Sequence, residues 1–306
     1  MGSAVCRTLA QQGYNNIIVA GRDELDLTNQ QAVFDFFAVH KPQAQVICAA
    51  VVGGIIANDT FPADFIGQNL MIQTNLLEAA RRFDCAKTVF MASGCIYPRL
   101  SEQPIREEQL LTGALEPTNQ WYAVAKLAGI KMGQAYRRQY GLDMVSVLPA
   151  NLYGTGDSFD LENSHVIPGL MRRFHIAKME QAKQVTVWGS GHAMREFMHV
   201  DDLAAATVFL MQQAQVEEII NIGYGEDMTI AELAQLMKTT VGFSGELFFD
   251  TSRPDGTPRK LLDSSHLFSL GWRPTIPLTQ GLAATYHWFV ENVETLREVN
   301  PQAWQK

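Results

Sequence analysis

The chain has 306 residues, 47% apolar and 18% charged, a balance that buries a full core and excludes general disorder. Its 32 acids outweigh its 24 bases by 8, so no basic field is present to attract nucleic acid or an anionic membrane. Four cysteines (Cys6, Cys48, Cys85 and Cys95) show neither metal spacing nor a small-domain disulfide framework, and no apolar stretch of about 20 residues or charged-then-apolar leader is read. A cytoplasmic location with reduced thiols is therefore expected.

In chain order, an amphipathic helix is predicted over 3–12, with Gly13 as its stop. A strand follows at 16–20, then a helix over 29–40 with Thr28 as its N-cap, and a strand at 45–50. Next come a long helix at 65–83, a strand at 87–92, a helix at 121–140 and a strand at 144–149. Short strands separated by helices of this length predict βαβ units and an α/β fold with a Rossmann-type doubly wound parallel sheet. After Tyr153, Gly and Pro become frequent, strands shorten, and helices at 229–241 and 278–293 stand among loops. A smaller α/β lid over the carboxyl ends of the sheet is expected, where ligands of open α/β sheets bind. The division read is a dinucleotide-binding domain of 1–153, taking in about 196–223, and a substrate-binding domain of 154–195 and 224–306. With no repeat or low-complexity linker, the two parts are expected to pack as one unit.

The chemistry begins with Tyr122 and Lys126, four residues apart and so on one helical face. An ammonium beside a phenol is expected to lower its pKa and make it a proton donor and acceptor near neutrality. Taken alone, this spacing is a weak signal and more often marks a packed Tyr beside a solvated Lys. Upstream, however, the strand at 87–92 ends in Ser93-Gly94-Cys95-Ile96-Tyr97-Pro98. In an extended stretch Ser93 and Cys95 face the same side, so both can look into one cleft. Ser93 can hydrogen-bond a substrate carbonyl oxygen that Tyr122 protonates. Ser, Tyr and Lys in this order on a βαβ chain form the reductase triad of short-chain dehydrogenases. Cys95 is either a buried strand-end thiol or a base for carbon acids. In the second reading a ketone acidifies the hydrogens on both neighbouring carbons, and a second group must return a proton on the opposite face. His165, in Asn163-Ser164-His165-Val166-Ile167-Pro168, is the candidate. Arg22 follows the strand at 16–20, where an acid takes an NAD ribose and an Arg accommodates the 2′-phosphate of NADP; NADP(H) is favoured, although Asp23 comes next.

These residues stand in a wider set: Val51-Val52-Gly53-Gly54-Ile55, Glu116-Pro117-Thr118-Asn119, Val187-Trp188-Gly189-Ser190-Gly191, Met194-Arg195-Glu196-Phe197 and Pro254-Asp255-Gly256-Thr257-Pro258-Arg259-Lys260. Together with the segments around Cys95, Tyr122 and His165, they make the chain resemble the GDP-L-fucose synthase family of extended short-chain dehydrogenases, from Gly2 to about Val293. The resemblance implies a homodimer that converts GDP-4-keto-6-deoxy-D-mannose to GDP-L-fucose, by epimerisation at C3 and C5 and then NADPH reduction at C4. It implies Cys95 as base and His165 as acid. It places the cofactor along Gly2, Arg22, Asp23, Leu25, Asp26, Leu27, Ala49, Ala50, Met91, Ala92, Lys126, Pro149, Ala150, Asn151, Leu152 and His165. It assigns the GDP-sugar to Arg173, Trp188, Arg195, Asp255 and Lys260, where guanidinium groups suit bidentate phosphate contacts.

The family opens with a strand and a Gly-x-x-Gly-x-x-Gly turn, and here Gly2 stands at the last of those glycines. The expectation is a dinucleotide fold without its first strand and most of its glycine turn, poorly folded and weak for NADPH until extended at its start. Two other readings stay open: a sister nucleotide-sugar epimerase or dehydratase, which shares Ser-Tyr-Lys, and a non-catalytic nucleotide-sugar-binding protein. Against the dehydratase, Gly94 and Cys95 occupy positions where such enzymes carry an acid pair.

Overall fold

The computed structural model describes residues 1–161, 164–214, 216–253 and 255–296; Asn163, Pro254 and the lid range after residue 296 lie outside them. The first half holds α1 (Gly2–Gln11), α2 (Gln30–His40), β1 (Ala44–Ile47), α3 (Ile55–Thr60), α4 (Pro62–Arg82), β2 (Lys87–Met91), α5 (Gln120–Tyr140), β3 (Met144–Pro149) and β4 (Asn151–Tyr153). The second half holds α6 (Val166–Met179), β5 (Gln184–Trp188), β6 (Met194–His199), α7 (Val200–Gln212), β7 (Ile219–Ile222), β8 (Asp227–Thr229), α8 (Ile230–Val241), β9 (Glu246–Asp250), β10 (Arg259–Lys260), α9 (Ser265–Ser269) and α10 (Leu278–Asn292).

The central sheet runs β1-β2-β3-β7, every pair parallel. Both β2 and β3 are buried along their whole length, as a parallel sheet covered on two faces requires. Alternation divides their side chains between two cores. Phe90, Met144 and Leu148 meet α2, α4 and α5 through Phe37, Leu76 and Ile130. Val89, Val145 and Val147 meet α7 through Leu203 and Leu210. The pair α4 and α5 lies close because residue 129 is glycine: a Cβ there would come 2.6 Å from the Phe90 ring and 2.8 Å from Gln73 Oε1. Gln73 in turn donates from Nε2 to the Ala125 carbonyl at 2.6 Å.

Three expectations are corrected. Residues 16–20 form no strand and are mostly exposed, Val19 at 69%. An extended run becomes a strand only against a ladder partner; among the described residues none pairs with 16–20 or with the edge of β1 away from β2. The strand at 45–50 stops at Ile47 because Val51 is taken by Asn69, which accepts the Val51 N–H and donates to its carbonyl, each at 2.9 Å. Finally, α2 is capped by Asn29, whose side chain accepts from the Ala32 N–H at 3.2 Å. Thr28 donates instead to Asp26 from its N–H and hydroxyl, at 2.9 and 2.7 Å.

Beyond the sheet, β6 pairs in parallel with β4 and β10 and antiparallel with β8, while β5 pairs in parallel with β9. Helices α6, α8 and α10 close over a third core around Phe174, Met237 and Phe289. Glu196 fastens this part to the sheet. Fully buried, it accepts from Gly225 N at 2.7 Å, just past β7, and from Leu262 N at 3.0 Å, just past β10. Burial pushes its carboxyl up to about 7.

Candidate active site

At the C-terminal end of β2 the chain turns at Ser93, which is extended, and makes a 3-10 turn over Gly94–Ile96. The stretch expected to be extended is therefore bent, because Ser93 Oγ accepts the Cys95 N–H at 3.3 Å and caps the turn. The turn still brings the two side chains together, with the Ser93 hydroxyl donating to Cys95 Sγ at 3.0 Å. Glycine is needed at 94, where a Cβ would lie 2.9 Å from the Pro149 carbonyl oxygen and 3.3 Å from Leu262.

Tyr122 enters from the first turn of α5 and hydrogen-bonds Ser93. Its phenol is raised well above the ordinary value, first by burial and then by Cys95, with the Ser93 bond opposing both. This corrects the expected lowering by Lys126. That ammonium donates to the Met91 carbonyl at 2.7 Å and lies 5.9 Å from the Tyr122 ring centroid. Lys126 is 3% exposed, and burial depresses its pKa to about 8. At neutral pH the site holds a protonated phenol beside a cation, an arrangement suited to giving a proton to an oxygen on which negative charge develops.

Ser93, Cys95, Tyr122 and Lys126 thus form one cluster. His165 stands apart from it, exposed at the start of α6, with no hydrogen bond to the four. Its charged neighbour is Asp157, whose carboxyl is raised by burial while His165 opposes the rise.

The positions expected to hold the cofactor follow the carboxyl ends of the parallel strands: Ala49 and Ala50 past β1, Met91 ending β2 with Ala92 just past it, Pro149 ending β3, Ala150 after it, and Asn151 and Leu152 in β4. Asn151 is partly committed, donating to the Glu196 carbonyl at 2.9 Å. Gly2 opens α1 with its Cβ direction 3.8 Å from the Cys48 side chain, at the end of β1. Arg22 and Asp23 are exposed on the following loop, where Leu25 and Leu27 pack on the core and Asp26 is held by Thr28. The residues fit a dinucleotide. The Lys126 ammonium bonds only Met91, and the Arg22 guanidinium has no hydrogen-bond partner among the described residues.

The proposed substrate residues fall into two groups. Outermost, Trp188 ends β5 at 44% exposure, with the Arg173 guanidinium 4.2 Å from its ring centroid. Arg253, which sequence reasoning passed over, lies 5.2 Å from the same ring; its place just before Pro254-Asp255 was the available signal. A cavity of about 430 Å³ adjoins them, lined in part by Leu161, Arg173 and Thr186. Further in, Arg195 and Lys260 are paired neighbours on β6 and β10. Burial lowers the pKa of both. Asp255 staples the Gly189-Ser190 turn, accepting from Ser190 N at 2.7 Å and Ser190 Oγ at 2.8 Å. Among the described residues no metal-binding cluster of His, Cys, Asp or Glu is present, and no helix is long and apolar enough to cross a membrane.

The model of the NAD dependent epimerase/dehydratase family matches residues 1–223. The chain is 51% identical to the GDP-L-fucose synthase of Escherichia coli (strain K12), over 97% of this chain and 95% of that protein. It is 55% identical to GDP-L-fucose synthase 1 of Arabidopsis thaliana, over 96% and 91%. A GDP-L-fucose synthetase from Naegleria fowleri solved with NADP bound superposes at a TM-score of 0.88 with 30% identity, covering 97% of this chain and 92% of that one.

Proposed function

The chain belongs to the NAD dependent epimerase/dehydratase family, and from that premise we propose that it converts GDP-4-keto-6-deoxy-D-mannose to GDP-L-fucose with NADPH. It is an NADP-dependent oxidoreductase and epimerase. The observation that carries the finer reading is the Ser93 hydroxyl directed at Cys95 Sγ at 3.0 Å, next to Tyr122. A simple ketone reductase needs Ser, Tyr and Lys; it has no use for a thiol at the ketone.

The C4 ketone makes the C3 and C5 hydrogens acidic. Cys95 Sγ, as thiolate, takes one of these protons, and His165 returns a proton to the carbon from the opposite face. Ser93 Oγ and Tyr122 Oη hold the carbonyl oxygen, and Tyr122 gives that oxygen its proton as the ketone becomes an alcohol. NADPH, when bound, supplies the hydride to C4. Lys126 would hold its ribose and Arg22 its 2′-phosphate. Epimerisation comes first, since an alcohol at C4 no longer acidifies its neighbours. Arg173, Arg195 and Arg253 anchor the diphosphate, with Trp188 under the nucleotide or sugar. In this reading the cofactor half is 1–153 with 196–223, the substrate half is 154–195 with 224–306, and the protein is cytoplasmic.

The direct test is turnover in deuterated water with NADPH, followed by NMR of the sugar. GDP-L-fucose carrying deuterium at C3 and C5 is expected. Reduced product without label at either carbon would leave a plain C4 reductase. Arg22→Ala should raise the KM for NADPH at least about tenfold and leave that for NADH unchanged, since only the 2′-phosphate bond is lost. Equal loss with both cofactors would put Arg22 elsewhere. We also propose a homodimer through α4 and α5, where Met71 (44% exposed), Trp121 (41%), Val124 (41%) and Tyr140 (50%) leave apolar surface uncovered. Light scattering after gel filtration should give twice 34.1 kDa; the mass of one chain would reject this.

A further inference from the structure

We propose that Tyr97 is the positioning residue that sets Cys95 against the substrate, through a hydrogen bond to Asn221 that fixes the far end of the turn carrying the sulfur. The inference rests on the reading of Cys95 as the epimerising base and adds to it the residue that holds that base in place.

The turn over Gly94–Ile96 is fastened at its two ends by different elements. On the Ser93 side it continues β2, and the Ala92 N–H donates to the Val147 carbonyl of β3 at 2.9 Å. On the other side Tyr97, 3% exposed, donates from its hydroxyl to Asn221 Oδ1 at 2.7 Å. Asn221 is fully buried in β7, beyond β3 and opposite Leu148. Its amide is held in one orientation: Nδ2 donates to the Ile105 carbonyl at 2.9 Å and to the Asp263 carbonyl at 3.2 Å, which turns Oδ1 to Tyr97. Its backbone N–H donates to Glu107 Oε1 at 2.9 Å. The Asp263 contact also holds the segment whose Leu262 methyl groups lie 3.3 and 3.5 Å from where a Gly94 Cβ would be. One buried amide thus ties the turn on both sides of Cys95, at Gly94 through Leu262 and at Tyr97 directly. The Asn119 side chain reaches the Cys95 carbonyl only at 3.5 Å, beyond the usual length of such a bond.

Packing alone does not ask for a phenol at this place. Tyr97 belongs to the core that includes Phe90 and Leu148, where a phenylalanine would fill nearly the same space. A hydroxyl in such a core needs a partner, and this one joins the turn to a strand that does not carry it. In the abstraction step the C–H proton moves to Sγ as its electron pair passes into the C4 carbonyl as an enolate. The sulfur must therefore stand close to the carbon and in line with the C–H bond. Reduction makes no such demand on the turn beyond Ser93, since Tyr122 and Lys126 are set by α5. Loss of the Tyr97 bond is accordingly expected to act on epimerisation and to spare hydride transfer.

The test measures the two half-reactions separately in the full chain. Epimerisation is followed as deuterium wash-in at C3 and C5 of the keto sugar without NADPH. Hydride transfer is followed as oxidation of GDP-L-fucose by NADP, which runs the C4 step in reverse and needs no base for a carbon acid. Tyr97→Phe should lower the maximal rate of wash-in by about ten- to a hundredfold, with the KM for the GDP-sugar and the rate of oxidation unchanged. Asn221→Ala should show the same split, and the double variant should lose no more than Asn221→Ala alone, because both remove one bond. Thermal melting checks that each variant folds; Tyr97→Phe, nearly isosteric, carries the test where Asn221→Ala does not fold. A lower melting temperature with wash-in unchanged makes the bond purely structural and overturns the proposal. Equal loss of wash-in and oxidation also overturns it, because the bond would then serve the whole site. Cys95→Ser distinguishes this failure from that of the underlying reading. Wash-in lost in Cys95→Ser but intact in Tyr97→Phe rejects only the role of Tyr97, whereas normal wash-in in Cys95→Ser rejects both.

Discussion

Tyr122→Phe is expected to reduce NADPH oxidation with the keto sugar by about 10²–10⁴-fold, the usual contribution of a positioned acid. Deuterium exchange at C3 and C5 should continue. The separation follows from the geometry: the phenol meets Ser93, and burial keeps it protonated, so it can give a proton but is poorly suited to take one from carbon. Removing the hydroxyl deletes the donor to the C4 oxygen while Ser93 still holds Cys95 Sγ. The wild-type reduction rate should also fall as pH rises through about 8. There Lys126, its pKa lowered by burial, loses the charge that is present below that value. Reduction at near the wild-type rate in Tyr122→Phe would show that another group delivers the proton.

The second large effect belongs to the sulfur. Cys95→Ser should lower deuterium wash-in at both carbons by about 10²–10⁴-fold, because an alcohol is a far weaker base than a thiolate at neutral pH. The change is nearly isosteric at a turn whose cap is the Ser93 side chain, so the fold should survive. His165→Gln should act differently, slowing return of the proton and releasing partly epimerised product. If Cys95→Ser exchanges normally, the base is His165, which the structure places beside Asp157 and outside the cluster.

The helices and buried strands were legible because their signals are local. The apolar runs of β2 and β3 and the helical spacing of α4 and α5 state their burial directly. Tyr122 and Lys126 could be paired from spacing alone, since a helix fixes where residues four apart lie. Boundaries were less legible: both Thr28 and Asn29 are good caps, and only the engagement of Thr28 by Asp26 decides between them.

What the amino-acid sequence determined by itself was the parallel α/β class and the family that its motifs resemble, and it supplied the residues proposed to react. Tertiary structure decided everything that depends on distant segments meeting. Residues 16–20 are extended in character yet form no strand, because a ladder requires a neighbour that local sequence cannot provide. The phenol of Tyr122 is raised where an adjacent ammonium was expected to lower it, because desolvation outweighs a charge turned toward Met91. Arg253 joins Trp188, Glu196 ties the segment past β7 to the one past β10, and Lys260 meets Arg195 only after β10 has paired with β6. Spacing along a chain gives relations within one element; electrostatics and burial are sums over everything that packs around a group, and those neighbours come from distant segments, as when Glu196 accepts from the Gly225 and Leu262 N–H groups.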